Sequence, residues 1–247
     1  MHVGTGGGMI AGVWMSLLWG ALAASSLMLG ALLGVVRPWS DAVVGSVLGF
    51  GAGALIASIS FELFEEGYDT GASVALTVGL AAGAVVFYAS DREVERIGGR
   101  SANGAAGLPL ALGAFLDGIP EQAVLGIGLA GGGDVSIALL VAIFVSNLPE
   151  AIGSATDMRQ AGSPTRDVLL LWGGVATLCA LASVGGYLAA EATGEQFVAG
   201  VDGFAAGALL VMLVGAMIPE AQRKVHEKAG LAGVLGFALA AALALAG

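Results

Sequence analysis

Eight apolar stretches, each long enough to cross a lipid bilayer, follow one another with only short polar segments between them. A helix needs about 20 residues to cross the hydrocarbon core, which is roughly 30 Å thick. The predicted spans are 9–36, 42–64, 71–90, 105–130, 135–158, 167–190, 196–219 and 229–247. The pattern therefore predicts an all-α polytopic membrane protein in which residues 1–247 form a single transmembrane domain.

The scarcity of charged residues agrees with this prediction. Only 11% of the residues are charged, whereas about 25% is usual in a soluble domain, so most of the surface has to face lipid. A cleaved signal peptide is the rival interpretation of the first span. No Lys or Arg precedes Met9, however, and a signal peptide begins with a basic segment. We therefore expect a retained first helix in a multi-pass protein of the plasma or inner membrane.

The cysteine and the tryptophans are interpreted as structural residues. The single cysteine, Cys179, lies inside an apolar run, which excludes a disulfide framework and a thiolate-based zinc site. The tryptophans, including Trp14 and Trp172, are predicted to contact lipid or the membrane interface. The expected surroundings are the lipid bilayer; nothing suggests a nucleic-acid partner, and a homodimer is left open.

The basic residues predict the orientation of the spans. All nine lie between spans 1 and 2, 3 and 4, 5 and 6, or 7 and 8, and they are Arg37, Arg92, Arg96, Arg100, Arg159, Arg166, Arg223, Lys224 and Lys228. Cytoplasmic loops carry an excess of Lys and Arg, so we expect these four loops in the cytoplasm and both termini outside the cytoplasm. The opposite loops are acidic, which would concentrate cations at the outer face.

A short internal repeat predicts how the two halves are related. Residues 50–55 read FGAGAL and residues 204–209 read FAAGAL, 154 positions later. Spans 2 and 7 run in opposite directions in the predicted topology, so the match indicates an inverted repeat of 3+2+3 helices. Such repeats place the substrate site near the middle of the membrane, where the halves meet. Six small apolar residues can also match by chance in helices rich in Gly and Ala.

The candidate chemistry lies in spans 4 and 5, which contain DGIPE at 117–121 and SNLPE at 146–150. A carboxylate near the middle of a membrane costs at least a few kcal/mol and is normally retained for function. Each proline also frees a backbone carbonyl, which is tolerated where it lines a cavity. The predicted metal ligands are Asp117, Glu121, Ser146, Asn147 and Glu150. The alternative is a pair of ordinary kinks with hydrogen-bonded carboxyl groups, but no Lys or Arg in these spans neutralises the acids.

Two further acidic segments are candidates for the ion pathway. Ser154 and Asp157 follow the second motif on the same helical face and would lead towards the cytoplasm. An ion pair between Asp157 and Arg159 or Arg166 is an equally favoured interpretation. At the other end of the pathway, Glu62 and Glu65 mark the predicted outer entrance, and Asp202 is a weaker candidate there.

At these motifs the sequence resembles the ZIP (Zrt-, Irt-like) family of divalent metal transporters, and the resemblance covers essentially the whole chain. The segments FGAGALIASISFELFEE at 50–66 and FAAGALLVMLVGAMIPEAQ at 204–222 resemble the second and seventh helices of that family. The resemblance implies eight helices, both termini outside, and a transport site formed by the motifs of helices 4 and 5. Independently of the resemblance, Glu220 with Arg223 and Lys224 is predicted to end helix 7 at the inner surface by forming an ion pair.

The chain departs from the family pattern at several ligand positions. Asp117 and Ser146 stand where the family usually has His, and Gly118 replaces the usual Asn. The sixth helix reads GGVATL at 173–178, without the family's usual glutamate. We therefore expect one metal ion, bound by oxygen alone. Oxygen ligands favour Mn²⁺, Mg²⁺ or Fe²⁺, whereas the resemblance favours Zn²⁺, which also accepts carboxylates; the choice stays open.

The predicted function is movement of a divalent metal cation towards the cytoplasm, with the cation as substrate and no resident cofactor. The sequence has no GxxxxGK[ST] motif for nucleotide binding. It also lacks HExxH and GxSxG motifs, so no enzyme activity is expected. The alternative is a degenerate homologue that binds a metal or a partner without transport and acts as a sensor or membrane scaffold.

Overall fold

The computed structural model describes residues 6–64, 72–100, 107–130 and 135–245, and within them the chain is helical without any strand. Nine α-helices follow one another in these described ranges. They are α1 (Gly6–Val36), α2 (Asp41–Ser58), α3 (Ser73–Arg100), α4 (Gly107–Ile127), α5 (Ile137–Gln160), α6 (Thr165–Ala192), α7 (Glu195–Met212), α8 (Ile218–Val225) and α9 (Lys228–Ala244). The π-helical turn Ile59–Phe64 extends α2, and a second one, Leu213–Met217, joins α7 to α8.

The helices confirm the prediction of a multi-pass helical protein. The described residues contain fewer candidate spans than the eight that were predicted. Six helical segments of the described chain are long and apolar enough to cross a membrane: Gly8–Val36, Asp41–Phe61, Ser73–Val94, Ile137–Gln160, Thr165–Ala192 and Glu195–Val225. The helix α9 is apolar but has only 17 residues. The helix α4 has 21 residues, and most side chains in its first half lie outside the described part of the chain.

Helix α3 is longer than its predicted span, which ended at residue 90. It continues to Arg100, so Arg92 and Arg96 belong to a helix instead of a loop. Two contacts between neighbouring turns stabilise this polar extension. The Arg92 guanidinium lies 4.9 Å from the ring centre of Tyr88, and Arg96 forms a salt bridge with Glu93. The apolar stretch therefore marks where the span ends but not where the helix ends.

Small residues allow the helices to pack closely. Helix α3 packs along α7, and α9 packs along α2. At both contacts a glycine faces the backbone carbonyl of a phenylalanine, Gly83 facing Phe204 and Gly236 facing Phe50. A side chain at either glycine would collide with that carbonyl. Such contacts between small residues are typical of membrane helices, where close backbone approach replaces the hydrophobic effect as the source of attraction.

Features of the two halves recur at the spacing of the sequence repeat. The phenylalanines of the two close contacts, Phe50 and Phe204, lie 154 positions apart, and so do the first residues of the two π-helical turns, Ile59 and Leu213. The helix pairs show the same relation, because α1 packs on α5 as α6 packs on α4. The spacing read from six residues of sequence therefore extends to backbone features that the sequence alone does not reveal.

One predicted lipid contact is wrong. Trp172 is 1% exposed and packs in a core cluster of α1, α5 and α6 that also contains Leu27 and Cys179. Small residues of this cluster, such as Ala151, leave room for the large indole ring. Trp14, by contrast, is 65% exposed, as predicted.

Candidate metal site

The two proline-containing motifs meet where α4 contacts α5. Pro120 lies inside α4 and Pro149 inside α5. Glu121 is 1% exposed and lies within electrostatic range of the Glu150 carboxylate and of the Asn147 and Ser146 side chains. The structure thus brings together four of the five predicted ligands. The side chain of the fifth, Asp117, lies outside the described part of the chain.

Hydrogen bonding at this site is incomplete. Ser146 donates its hydroxyl proton to the Ile143 carbonyl oxygen at 3.0 Å, which leaves the hydroxyl oxygen able to accept or to coordinate. Glu121 Oε2 and Asn147 Nδ2 are buried without a hydrogen-bond partner in the described chain. An unsatisfied buried polar group costs about 1–3 kcal/mol, and more when it is charged. The site therefore presents oxygen atoms that a cation could satisfy.

The donor set suits a hard or borderline divalent cation. Carboxylate, hydroxyl and amide oxygens are ligands of Mg²⁺ and Mn²⁺, and Zn²⁺ accepts carboxylate oxygen as well. Among the described side chains no group of three or more His, Cys, Asp or Glu is placed to hold a metal. The acidic part of the described site is therefore the pair Glu121 and Glu150. The side-chain oxygens of Ser146 and Asn147 complete the described donors.

The backbone of α2 lies against the SNLPE motif. A Cβ atom at Gly51 of α2 would lie 2.9 Å from Ser146 Cα and 3.2 Å from Met217 Cε. Met217 closes the π-helical turn and is 2% exposed. The α2 backbone at Gly51 therefore lies close both to Ser146, the residue that opens the SNLPE motif, and to Met217 of the turn. A glycine at position 51 is required for this approach.

A side chain at position 118 would be crowded by a neighbouring helix. A Cβ atom at position 118 would lie 2.5 Å from Cys179 Sγ, and Cys179 is fully buried on α6. The thiol therefore fills the space that a side chain at position 118 would need. A side chain at position 118 would therefore require Cys179 to shift.

This contact predicts how two substitutions combine. Gly118→Ala is expected to lower the free energy of unfolding by about 1–3 kcal/mol, as overpacking of a filled core does. Gly118→Ala together with Cys179→Ala is expected to recover most of that loss, because the colliding sulfur is gone. The measurement is thermal unfolding of the four proteins of the cycle in detergent. Additive effects of the two substitutions would show that the contact does not restrict position 118.

Two buried polar residues of the transmembrane helices escaped the sequence prediction. Gln122, next to Glu121 on α4, is fully buried, and neither Oε1 nor Nε2 has a hydrogen-bond partner in the described chain. Ser58 on α2 is 1% exposed, and its Oγ also lacks a partner there. The available signal was the position of an uncharged polar residue inside an apolar span. Such residues usually find partners between membrane helices.

The predicted entrance and exit residues have different outcomes. Glu65 and the side chain of Glu62 lie outside the described residues. Ser154 is half-buried and Asp157 is exposed at the end of α5. Asp202, the weaker entrance candidate, is 4% exposed on α7.

The alternative ion pair of Asp157 is wrong for the described residues. Their salt bridges do not join Asp157 to Arg159 or Arg166. Arg159 instead donates to the Ser163 carbonyl just beyond the helix, where it satisfies a backbone acceptor at the carboxyl end of α5. The charged groups that face Asp157 come from α8, and they are Glu220, Arg223 and Lys224.

The predicted ion pairs at the end of helix 7 are confirmed. Glu220 forms salt bridges with Arg223 and with Lys224. Lys224 Nζ also lies 2.7 Å from Asp41 Oδ1 at the start of α2. One lysine therefore connects the ends of α2 and α8, which lie on the side predicted to be cytoplasmic.

Comparison with known proteins gives one informative relative. No family model matches the chain. A protein of Arabidopsis thaliana described as a "Putative zinc transporter" is 29% identical over 182 residues, which cover 70% of this chain and 29% of that protein. The matched part thus spans less than a third of the relative's length. This likeness supports the resemblance to ZIP-type transporters, and the chain is a multi-pass helical membrane protein similar to a metal transporter.

Proposed function

We propose that the chain is a ZIP-family protein that moves a divalent metal cation across the membrane towards the cytoplasm. The observation that carries this proposal is the meeting of Glu121 and Glu150 on two proline-containing helices, with Glu121 Oε2 buried and without a hydrogen-bond partner among the described residues. Two facing carboxylates repel each other at this depth, and a divalent cation removes the repulsion by neutralising both. The similarity to a plant protein described as a zinc transporter is consistent with this function.

The proposed topology has eight spans in a 3+2+3 inverted repeat, with both termini outside the cytoplasm. In this arrangement α7, its π-helical turn and α8 together form the seventh span, and α9 forms the eighth. The 154-residue spacing of the two π-helical turns and of Phe50 and Phe204 supports it. The site then lies near the middle of the membrane between the two halves, as in other transporters with inverted repeats.

The site residues have separate roles in the proposed mechanism. Glu121 and Glu150 supply the negative charge that attracts and holds the cation. Ser146 and Asn147 offer neutral oxygens that can replace part of its hydration shell. Asp117 is the proposed third carboxylate, four residues before Glu121 on the same face of α4. Ser154 and Asp157, further along α5, are proposed to receive the cation on the cytoplasmic side.

The identity of the metal is tested by competition. Proteoliposomes with the purified chain are expected to take up Zn²⁺, Mn²⁺ or Fe²⁺ faster than protein-free liposomes do, and an excess of the preferred ion should suppress uptake of the others. Because the proposed ligands are all oxygen, Asp117→His is expected to shift the preference towards Zn²⁺. An unchanged order of preference would contradict the oxygen-only site. No flux of any divalent ion above background would contradict transport.

A second candidate function is metal binding without transport. The motifs at 117–121 and 146–150 carry no histidine and the segment 173–178 carries no glutamate, which favours it, because a weaker site could serve a sensor or scaffold. The two functions differ in the same assay. A sensor would bind about one equivalent of metal in detergent, measured by equilibrium dialysis, but would give no uptake.

A further inference from the structure

Two apolar grooves on the surface of the helix bundle occupy equivalent positions of the repeat. The first, the α2–α9 groove, is lined among others by Gly53, Ile56 and Val234 and has a volume of about 340 Å³. The second, the α3–α7 groove, is lined among others by Gly207, Leu210 and Leu80 and has a volume of about 360 Å³. The three residues of one groove pair with the three of the other at a spacing of 154 positions: Gly53 with Gly207, Ile56 with Leu210, and Leu80 with Val234. The grooves are therefore counterparts in the two halves.

Both grooves have to be filled in the membrane. An empty groove deprives its lining atoms of dispersion contacts, so a lipid chain or another helix covers it. The lining of the α3–α7 groove is entirely apolar, from Leu80 and Ala84 on α3 to Val214 and Gly215 in the π-helical turn. Nothing in that lining distinguishes one lipid headgroup from another.

Of the two grooves, only the α2–α9 groove has a polar lining residue and basic residues next to its lining in the chain, and we call this part its basic end. There it is lined by Gln222 on α8 and by Ala229 at the start of α9. The residues next to these in the chain are Arg223 and Lys228, and both are exposed. No basic residue lines the α3–α7 groove or adjoins its lining residues in the chain. The two counterparts thus differ in charge while sharing an apolar body.

The basic end has one cation, Lys228, that takes no part in the salt bridges of the described residues. Arg223 and Lys224 form salt bridges with Glu220, and Lys224 also pairs with Asp41. None of the salt bridges among the described residues uses Lys228. An anionic headgroup placed at Lys228 would therefore gain electrostatic attraction without competing with an existing ion pair. In the proposed topology this end also lies at the cytoplasmic leaflet, where anionic lipids are enriched.

We propose that the α2–α9 groove is a binding site for an anionic phospholipid. One acyl chain lies along the groove, and the phosphate lies at Lys228 and Gln222. The lipid fills the space between α2, α8 and α9 and so holds these helices together. This site rests on the groove, its charges and the proposed topology, and it does not depend on metal transport.

The test compares an anionic and a zwitterionic lipid on the intact chain. Purified protein in detergent is titrated with dioleoylphosphatidylglycerol or dioleoylphosphatidylcholine, and native mass spectrometry counts the bound lipid. We expect the anionic lipid to bind about fivefold more tightly, which is the effect of about one basic residue on an anionic lipid. Lys228→Gln is expected to abolish the preference. Arg166→Gln, at another exposed basic residue, is expected to preserve it.

Two glycines provide a matched pair for filling the grooves. Gly230 lines the α2–α9 groove and Gly215 lines the α3–α7 groove, and a Cβ atom at either has no neighbour within 4 Å. Gly230→Leu therefore fills its groove without a collision and is expected to weaken binding of the anionic lipid by about tenfold, since the acyl chain loses its apolar contacts. Gly215→Leu is expected to leave that binding unchanged.

Three outcomes would overturn the proposal. The first is equal affinity of the wild-type chain for the two lipids. The second is an equal effect of Gly230→Leu and Gly215→Leu on binding of the anionic lipid. The third is a change from dimer to monomer on Gly230→Leu, measured by light scattering, which would assign the groove to a second copy of the chain. If Gly230→Leu does not fold, Lys228→Gln alone decides the result.

Discussion

Proteoliposomes containing Glu121→Gln are expected to take up divalent cations no faster than protein-free liposomes, and Glu150→Gln is expected to behave in the same way. Each substitution keeps the size of the side chain but removes the charge that the proposed site offers to a cation. Changing a group that only orients a metal ligand already lowers metal affinity by about 10- to 100-fold. Loss of a ligand should therefore lower the initial rate of Zn²⁺ or Mn²⁺ uptake at least as much.

The unfolding temperature of these variants separates a functional role from a structural one. Glu121 is 1% exposed, and its Oε2 has no hydrogen-bond partner in the described chain. A buried charge without a partner costs free energy, so Glu121→Gln is expected to leave the unfolding temperature unchanged or to raise it. Glu195→Gln, at an exposed residue that begins α7, is the control and should retain uptake. A loss of uptake accompanied by a lower unfolding temperature would assign Glu121 to the fold.

The largest loss of stability is expected from Gly126→Ala. A Cβ atom there would collide with the Ser183 carbonyl oxygen of α6, and a backbone atom cannot turn aside as a flexible side chain does. Ser183 Oγ also donates to the Ser16 carbonyl oxygen of α1 at 3.1 Å, so a shift of α6 disturbs a second helix contact. We expect the free energy of unfolding to fall by about 1–3 kcal/mol or more, measured by thermal unfolding in detergent.

Gly185→Ala is the matched control for this loss. Gly185 lies on the same helix as Ser183, and a Cβ atom at position 185 has no neighbour within 4 Å. Alanine is favoured over glycine in a helix by about 1 kcal/mol, so this variant is expected to be as stable as the wild type or more stable. Opposite signs for the two substitutions would locate the effect in the α4–α6 contact. A similar loss in both would point instead to a general sensitivity of this helix pair.

The helical architecture was predictable because charged residues are costly in lipid, and the sequence therefore keeps them out of its long apolar stretches. The first span was predicted to end at residue 36, and α1 ends at Val36, where Arg37 and Pro38 follow. The end of α3 was not predictable in the same way. Hydropathy records where the chain leaves the lipid, whereas Glu93 and Arg96 pair on a helix that continues beyond that point.

The candidate site was predictable in composition but not in its surroundings. Two Pro–Glu motifs on consecutive spans indicated that Glu121 and Glu150 would meet. The crowding at position 118 was not predictable from the sequence. It comes from Cys179, which is 61 positions away in the sequence and lies next to Gly118 only in the folded chain. Trp172 was assigned to the interface by the general preference of its residue type, and the small residues around it place it in the core instead.

The π-helical turn Leu213–Met217 determines the rotational setting of α8. An α-helix advances by about 100° per residue, and a π-helical turn accommodates one extra residue. Relative to an uninterrupted helix, everything after the turn is therefore rotated by about that angle. This rotation directs Ala221 and Val225 to the core and brings Lys224 to Asp41. The salt bridge between Lys224 and Asp41 therefore depends on the rotation of α8 about its axis, and that rotation comes from the one extra residue in the π-helical turn.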